Sequence, residues 1–130
     1  MSKECICAVS APPAAGPYAP AVKANGFLFV SGQGPFAKDG SGPVRGTIEE
    51  ETRRTLDNLN CVLADAGITL EDVVKVTVYL GDMVNFPKFN DVYKTYFRDS
   101  LPARTCVEAG RLPLDIQVEI DVIAVIPERE

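Results

Sequence analysis

The run Ile116-Gln117-Val118-Glu119-Ile120-Asp121-Val122-Ile123-Ala124-Val125-Ile126 constrains the fold most. Its alternation suits a strand, because side chains on an extended backbone point to opposite faces in turn. Ile116, Val118, Ile120, Val122, Ala124 and Ile126 make a core face, and Gln117, Glu119 and Asp121 share the other. The preceding stretch, Pro102 to Pro113, holds a second alternation, with Arg104, Cys106 and Glu108 opposite Thr105, Val107 and Ala109. Together the two strands put an arginine and an acid on polar faces beside apolar ones. A guanidinium there can hold a carboxylate through two parallel hydrogen bonds, and a nearby acid can handle a water. A structural ion pair between Arg104 and Glu119 is the other reading, and spacing alone does not separate the two.

The rest of the chain supplies partners for these strands. Residues 4–9 read as a first strand and 10–17, with Pro12, Pro13, Gly16 and Pro17, as a loop ending at Tyr18. Tyr18 reads equally well as a solvent-facing loop residue. Phe27-Leu28-Phe29-Val30-Ser31 suits a strand covered on both sides, closed by Ser31-Gly32-Gln33-Gly34-Pro35. Asp39-Gly40 and Gly42-Pro43 mark a hairpin tip. Thr47-Ile48-Glu49-Glu50 has the form of a capping box, followed by an apolar stripe of Ile48, Leu56, Leu59, Val62, Leu63 and Ala66. Gly67 stands where a helix C-terminus wants it. Glu49, Glu50 and Glu51 fall in the first turn, where acids suit the helix dipole, and read as a solvated face. Val73 to Leu80 is a strand with Val74, Val76, Val78 and Leu80 on one face and Lys75, Thr77 and Tyr79 on the other. Asn85 is placed to cap a second helix with Pro87 in its first turn. Phe86, Phe89, Val92, Tyr93, Tyr96 and Phe97 form its buried face, and Asn90 falls on its surface. Two strands with room for a third, then helix, strand, helix and two strands suggest an α+β sandwich, with a mixed β-sheet and two helices on one face. A polar and apolar sheet face left open to solvent is a candidate for oligomerisation.

Composition excludes several functions. The chain has no histidine, which rules out histidine triads, histidine–zinc sites and paired-histidine RNA cleavage. Its formal net charge is −5 without a basic run, so nucleic acid or anionic membrane is not bound through bulk charge. No stretch approaches the roughly 20 apolar residues that span a bilayer. Its 130 residues suit one domain with a single core. Met1-Ser2-Lys3-Glu4 leads into a short apolar strand rather than a signal-peptide core, so the cytoplasm, or an organelle lumen in a processed form, is the expected compartment. Four cysteines, Cys5, Cys7, Cys61 and Cys106, lack zinc-knuckle spacing and suggest no disulfide framework. Cys5 and Cys7 read as small apolar side chains sharing one strand face, and Cys61 as part of the buried helical stripe.

Several blocks occur in a telling order: Gly16-Pro17-Tyr18, Phe29-Val30-Ser31-Gly32-Gln33, the helix from Thr47 to Ala66, Phe89-Asn90 with Val92-Tyr93, Pro102-Ala103-Arg104-Thr105-Cys106-Val107, Arg111-Leu112-Pro113 and Val118-Glu119-Ile120. In these the chain resembles, nearly end to end, the RidA/YjgF family of enamine and imine deaminases. The resemblance implies a chorismate-mutase-like fold, assembled as a homotrimer whose sheets face a central barrel and whose active sites lie in clefts between subunits. It implies small 2-imino or 2-enamino acids as substrates, such as 2-iminobutanoate and 2-iminopropanoate, hydrolysed to 2-keto acids and ammonia without cofactor or metal. By the same resemblance Arg104 binds the substrate carboxylate, and Glu119 orients or deprotonates the attacking water. Tyr18 closes the pocket from its loop, while Ser31, Asn90 and Cys106 line it. Cys106 would act through its backbone N–H and small size rather than as a nucleophile, since imine hydrolysis needs no covalent step.

Three departures from the family pattern stand out, of which the first and third border that pocket. Ala19 and Pro20 stand where the family has a small polar residue and an amide, Leu114 stands where it commonly has lysine, and Gly34-Pro35-Phe36 is an atypical turn. They bear on substrate size and rate. Competing readings are a non-catalytic keto-acid-binding or chaperone-like trimer, a deaminase of a larger enamine, and an endoribonuclease or translation inhibitor. The last is poorly served by an acidic chain without histidine. Arg111 reads as part of a surface or interface salt bridge.

Overall fold

In a computed structural model that describes residues 2–128, the alternating run forms an interior strand of a six-stranded sheet. In chain order the elements are β1 (Glu4–Ile6), β2 (Ala21–Ala24), β3 (Phe27–Gln33), α1 (Ile48–Asp65), β4 (Val73–Leu80), α2 (Phe86–Tyr96), β5 (Ala103–Glu108) and β6 (Val118–Val125). The sheet order is β1-β2-β3-β6-β4-β5. All pairings are antiparallel except β4 with β5, the pair joined through α2, as a parallel pair requires a long crossover. Both helices pack on one face, giving the expected α+β sandwich. Val118, Ile120, Val122 and Ala124 of β6 meet Leu56, Leu59 and Leu63 of α1 in that core, all buried.

The capping box at Thr47 forms as expected. Thr47 Oγ1 accepts from the Glu50 N–H at 3.1 Å, and Glu50 Oε1 accepts from the Thr47 N–H at 2.9 Å. Gly67, at φ +80°, follows the helix in the left-handed region that favours glycine. The buried stripe of α1 is wider than its apolar residues, because Glu51, Thr52, Thr55 and Asn58 are buried with them. Asn58 Nδ2 donates to the Gly34 and Phe36 carbonyls at 2.9 Å each, tying the helix to the loop after β3. Glu51 is therefore not part of a solvated face. Its carboxylate accepts from the Gln117 N–H at 3.0 Å and from Gln117 Nε2 at 2.6 Å. Ala66 and Cys61 are only half-buried.

Local geometry corrects four further expectations. The first strand stops at Ile6, and Cys5 and Cys7 are exposed rather than packed. Ser10 then pins the chain to α1, its N–H and hydroxyl both donating to Asp65 Oδ2 at 3.0 and 2.8 Å. An additional strand, β2, precedes β3, joined to it through Asn25-Gly26, whose φ of 57° and 83° suit a two-residue hairpin turn. In β4 a register shift between Val73 and Lys75 buries Val73 and leaves Val74 42% exposed, reversing the alternation at that end. Asn85 has helical φ/ψ and no side-chain cap; Asp82 instead accepts from the Val84 N–H at 2.9 Å, starting the 3₁₀ turn that leads into α2. Among the described residues, no helix is long and apolar enough to cross a membrane.

Candidate functional site

Strand pleating decides where the two charged residues go. Glu119 sits between buried Val118 and Ile120 on β6, so its side chain faces the open side of the sheet. Arg104 is in register with buried Val76 of β4, so it faces the helices. That corrects the expectation of a polar face for Arg104. Strand β4 lies between the two strands, and no ion pair joins Arg104 to Glu119 among the described residues. The interstrand salt-bridge reading therefore fails on topology: two residues on opposite faces, two strand spacings (about 10 Å) apart, cannot pair.

The first half-site is a cleft of about 720 Å³ beside β3 and β6, lined among others by Tyr18, Ser31, Gly32, Phe36, Leu114 and Glu119. Tyr18 is half exposed, and its hydroxyl oxygen accepts from the Ala15 N–H at 3.2 Å, which folds the loop over the cleft. Ser31 donates its hydroxyl to the Ala19 carbonyl at 2.7 Å, and its N–H to the Pro20 carbonyl at 3.0 Å. These bonds fix the tyrosine loop to the end of β3. The backbone between Val30 and Gln33 departs from regular pairing with β6. Gly32 lies directly against Glu119, and a Cβ there would collide with the Glu119 carboxylate. The Glu119 carboxyl pKa is raised, by burial first and then by the neighbouring Asp121 charge. A carboxylate perturbed upward in a cleft is a better proton acceptor from water than an ordinary one.

The second half-site lies on β5, the edge strand, under α2. Arg104 Nη1 donates to Asn90 Oδ1 at 2.8 Å, so Asn90 is a partner of the guanidinium rather than a helix surface residue. The Arg104 guanidinium lies 4.7 Å from the Tyr93 ring centre, with Phe86 and Phe89 at 5.6 and 5.9 Å. Stacking on aromatic faces holds the planar fork while leaving its N–H edges available. Cys106, two residues along on the same face, is half-buried, and burial pushes its thiol pKa up against the opposing effect of Arg104. An unactivated thiol fits a lining role better than a nucleophile. The Tyr93 hydroxyl is buried without a hydrogen-bond partner among the described residues, and burial pushes its pKa up to about 12.

Tyr18, Ser31 and Glu119 are thus brought together, as are Arg104, Asn90 and Cys106, but a single chain does not unite the two groups. Sequence reasoning missed Gly32 and Tyr93. Tyr93 was legible only as core, because an aromatic stripe at helical spacing does not reveal which ring a distant arginine stacks on. Arg111 forms the expected surface pair, donating to Asp115 at 2.7 and 3.1 Å.

The chain is similar to known proteins along nearly its whole length. A protein of Pyrococcus abyssi named as a RutC family protein is 47% identical over 124 residues, covering 95% of this chain and 98% of the relative. A mouse protein named 2-iminobutanoate/2-iminopropanoate deaminase is 41% identical over 123 residues, covering 95% of this chain and 91% of the relative. The crystal structure of Escherichia coli TdcF with bound serine superposes with a TM-score of 0.88 at 34% identity, covering 94% of this chain and 98% of that one. The family model described as Endoribonuclease L-PSP matches residues 8–126. The chain belongs to that family, the RidA/YjgF family.

Proposed function

We propose that this protein hydrolyses small reactive 2-imino and 2-enamino acids, among them 2-iminobutanoate and 2-iminopropanoate, to 2-keto acids and ammonia. The observation that carries the reading is the pair of complementary half-sites, an aromatic-caged arginine at a sheet edge and a pKa-raised carboxyl group in an open cleft. Each lacks what the other has. A second copy of the chain joins them when it sets its β5 edge over the cleft, and a homotrimer with its sheets around a central barrel repeats the junction three times. Exposed Phe27, Phe29, Val107 and Val125 on the open sheet face support burial of that face against further copies. The mouse relative's name and the serine bound to TdcF support a small amino-acid-like ligand.

In this reading Arg104, held by Asn90 and Tyr93, takes the substrate carboxylate through two parallel hydrogen bonds. Glu119 accepts a proton from a water as the water oxygen bonds to the carbon of the protonated imine, giving a neutral carbinolamine. Glu119 then returns that proton to the nitrogen; the C–N bond breaks as the hydroxyl oxygen forms C=O, the hydroxyl proton passes through Glu119 to the departing ammonia, and keto acid and ammonium leave. Water is consumed and no redox partner or cofactor takes part. Tyr18 closes the cleft, and Ser31, Asn90 and Cys106 shape it. The compartment in this reading is the cytoplasm, or an organelle lumen in a processed form, in line with the relatives named mitochondrial.

The test is keto-acid release from freshly generated 2-iminopropanoate and 2-iminobutanoate, with semicarbazide competing for the imine. Wild type is expected to accelerate release, and Arg104→Ala to sediment as the same oligomer without doing so. An assembled wild type that accelerates neither reaction refutes the deaminase reading. Loss of assembly together with activity in Arg104→Ala would make the arginine structural.

A further inference from the structure

The loop between β5 and β6 enters the first half-site with an unusual backbone. Leu114 and Asp115 both adopt positive φ, 55° and 56°. A leucine gains nothing locally from the left-handed region, since its Cβ crowds the following carbonyl, and such a residue persists only where its surroundings over-determine it. Here they do. Arg45 donates to the Leu114 carbonyl at 2.6 Å and to the Asp115 carbonyl at 3.3 Å. Arg111 clamps the Asp115 side chain from the other side. The outcome is an apolar side chain, 58% exposed, standing at the cleft with its backbone carbonyl held by Arg45 and the next side chain held by Arg111.

Its neighbours in the cleft point the same way. Pro12, Pro13, Phe36 and the Tyr18 ring share the lining with Leu114. This chain's side of the site therefore offers an apolar wall rather than polar partners to whatever part of a substrate lies along it. We infer that Leu114 is a specificity-determining residue, and that this site prefers 2-imino acids with bulky apolar side chains, the imines of leucine- or phenylalanine-like amino acids. This rests on the deaminase reading and deepens it: Arg104 holds the carboxylate, Glu119 serves the imine carbon, and the side chain lies along Leu114.

Comparing kcat/KM for 2-imino-4-methylpentanoate and 2-iminopropanoate tests the assignment. The larger substrate is expected to win by roughly tenfold or more, since each methylene matched in an apolar pocket counts for about that factor. In Leu114→Asn the ratio should fall by a similar factor while the fold persists, because asparagine tolerates the left-handed region better than leucine. Leu114→Met, which restores apolar surface, should restore the preference. A wild-type ratio near one, or a ratio unchanged in Leu114→Asn with a wild-type melting curve, overturns the inference. If neither imine is turned over, the deaminase reading fails, and calorimetry with 2-oxopropanoate and 4-methyl-2-oxopentanoate decides the specificity separately. Tighter binding of the larger acid that Leu114→Asn abolishes upholds the inference, and equal binding refutes it.

Discussion

Replacing Glu51 by alanine isolates an interaction that anchors the start of β6 and, two residues on, Glu119. The Glu51 side chain is 3% exposed and accepts from the Gln117 N–H at 3.0 Å, from Gln117 Nε2 at 2.6 Å and, more weakly, from the Gly46 N–H at 3.4 Å. A hydrogen bond to a charged partner contributes about 1.5–3 kcal/mol net, and a buried donor left without an acceptor loses a comparable amount. Two good bonds give about 3–6 kcal/mol. Gln117 is half-buried, so water recovers part of this, and about 3 kcal/mol is the expected loss. With a urea dependence of about 1–3 kcal/mol per molar, the unfolding midpoint should drop by roughly 1–3 M. The assay is urea unfolding followed by circular dichroism at one fixed protein concentration, because assembly would make the midpoint concentration-dependent. Glu50→Ala, one residue earlier and exposed at the capping box, is the control and should move the midpoint less. Equal shifts for the two variants would refute the distinction between a buried anchor and an exposed cap.

Three further predictions concern pH and packing. The Glu119 pKa lies above its ordinary 4.5 through burial and then Asp121, so the acidic limb of the rate should lie above pH 4.5, and Asp121→Asn should move it toward acid; a limb unmoved by that substitution removes Asp121 from the explanation. For stability, the folded chain holds the extra proton between the unfolded and the raised folded pKa, so stability should fall as pH rises through that window and Glu119→Gln should flatten the slope. In β4, Val73→Ala should cost about 1–3 kcal/mol as a core truncation and Val74→Ala less than about 0.5; equal costs in paired urea titrations would refute the register shift.

Much of this architecture was legible because periodicity is local. Thr47 and Glu50 close their capping box within one helical turn, and the alternation of β6 needs only the pleat of one strand. Pattern and structure part where a local regularity is interrupted by a distant contact or a change of register. Glu51 belongs by composition with its acidic neighbours, yet its position on α1 turns it toward Gln117, 66 residues away. Val74 keeps the alternation that the register shift interrupts. The strand β2 is short and carries Lys23, but Asn25-Gly26 announced it.

The site divides along the same line. Residue types alone determined the chemistry that was available: no histidine, one arginine and one acid on neighbouring alternations, and a tyrosine after a proline-rich loop. Which face each side chain takes depends on what lies beside its strand. Inserting β4 between β5 and β6 separates Arg104 from Glu119, and the helix layer turns the arginine onto Tyr93 and Asn90. Side-chain alternation specifies two faces without saying which one is covered. Only packing of the helices against the sheet made that choice, because burying the β6 apolar face against α1 leaves Glu119 to the open side.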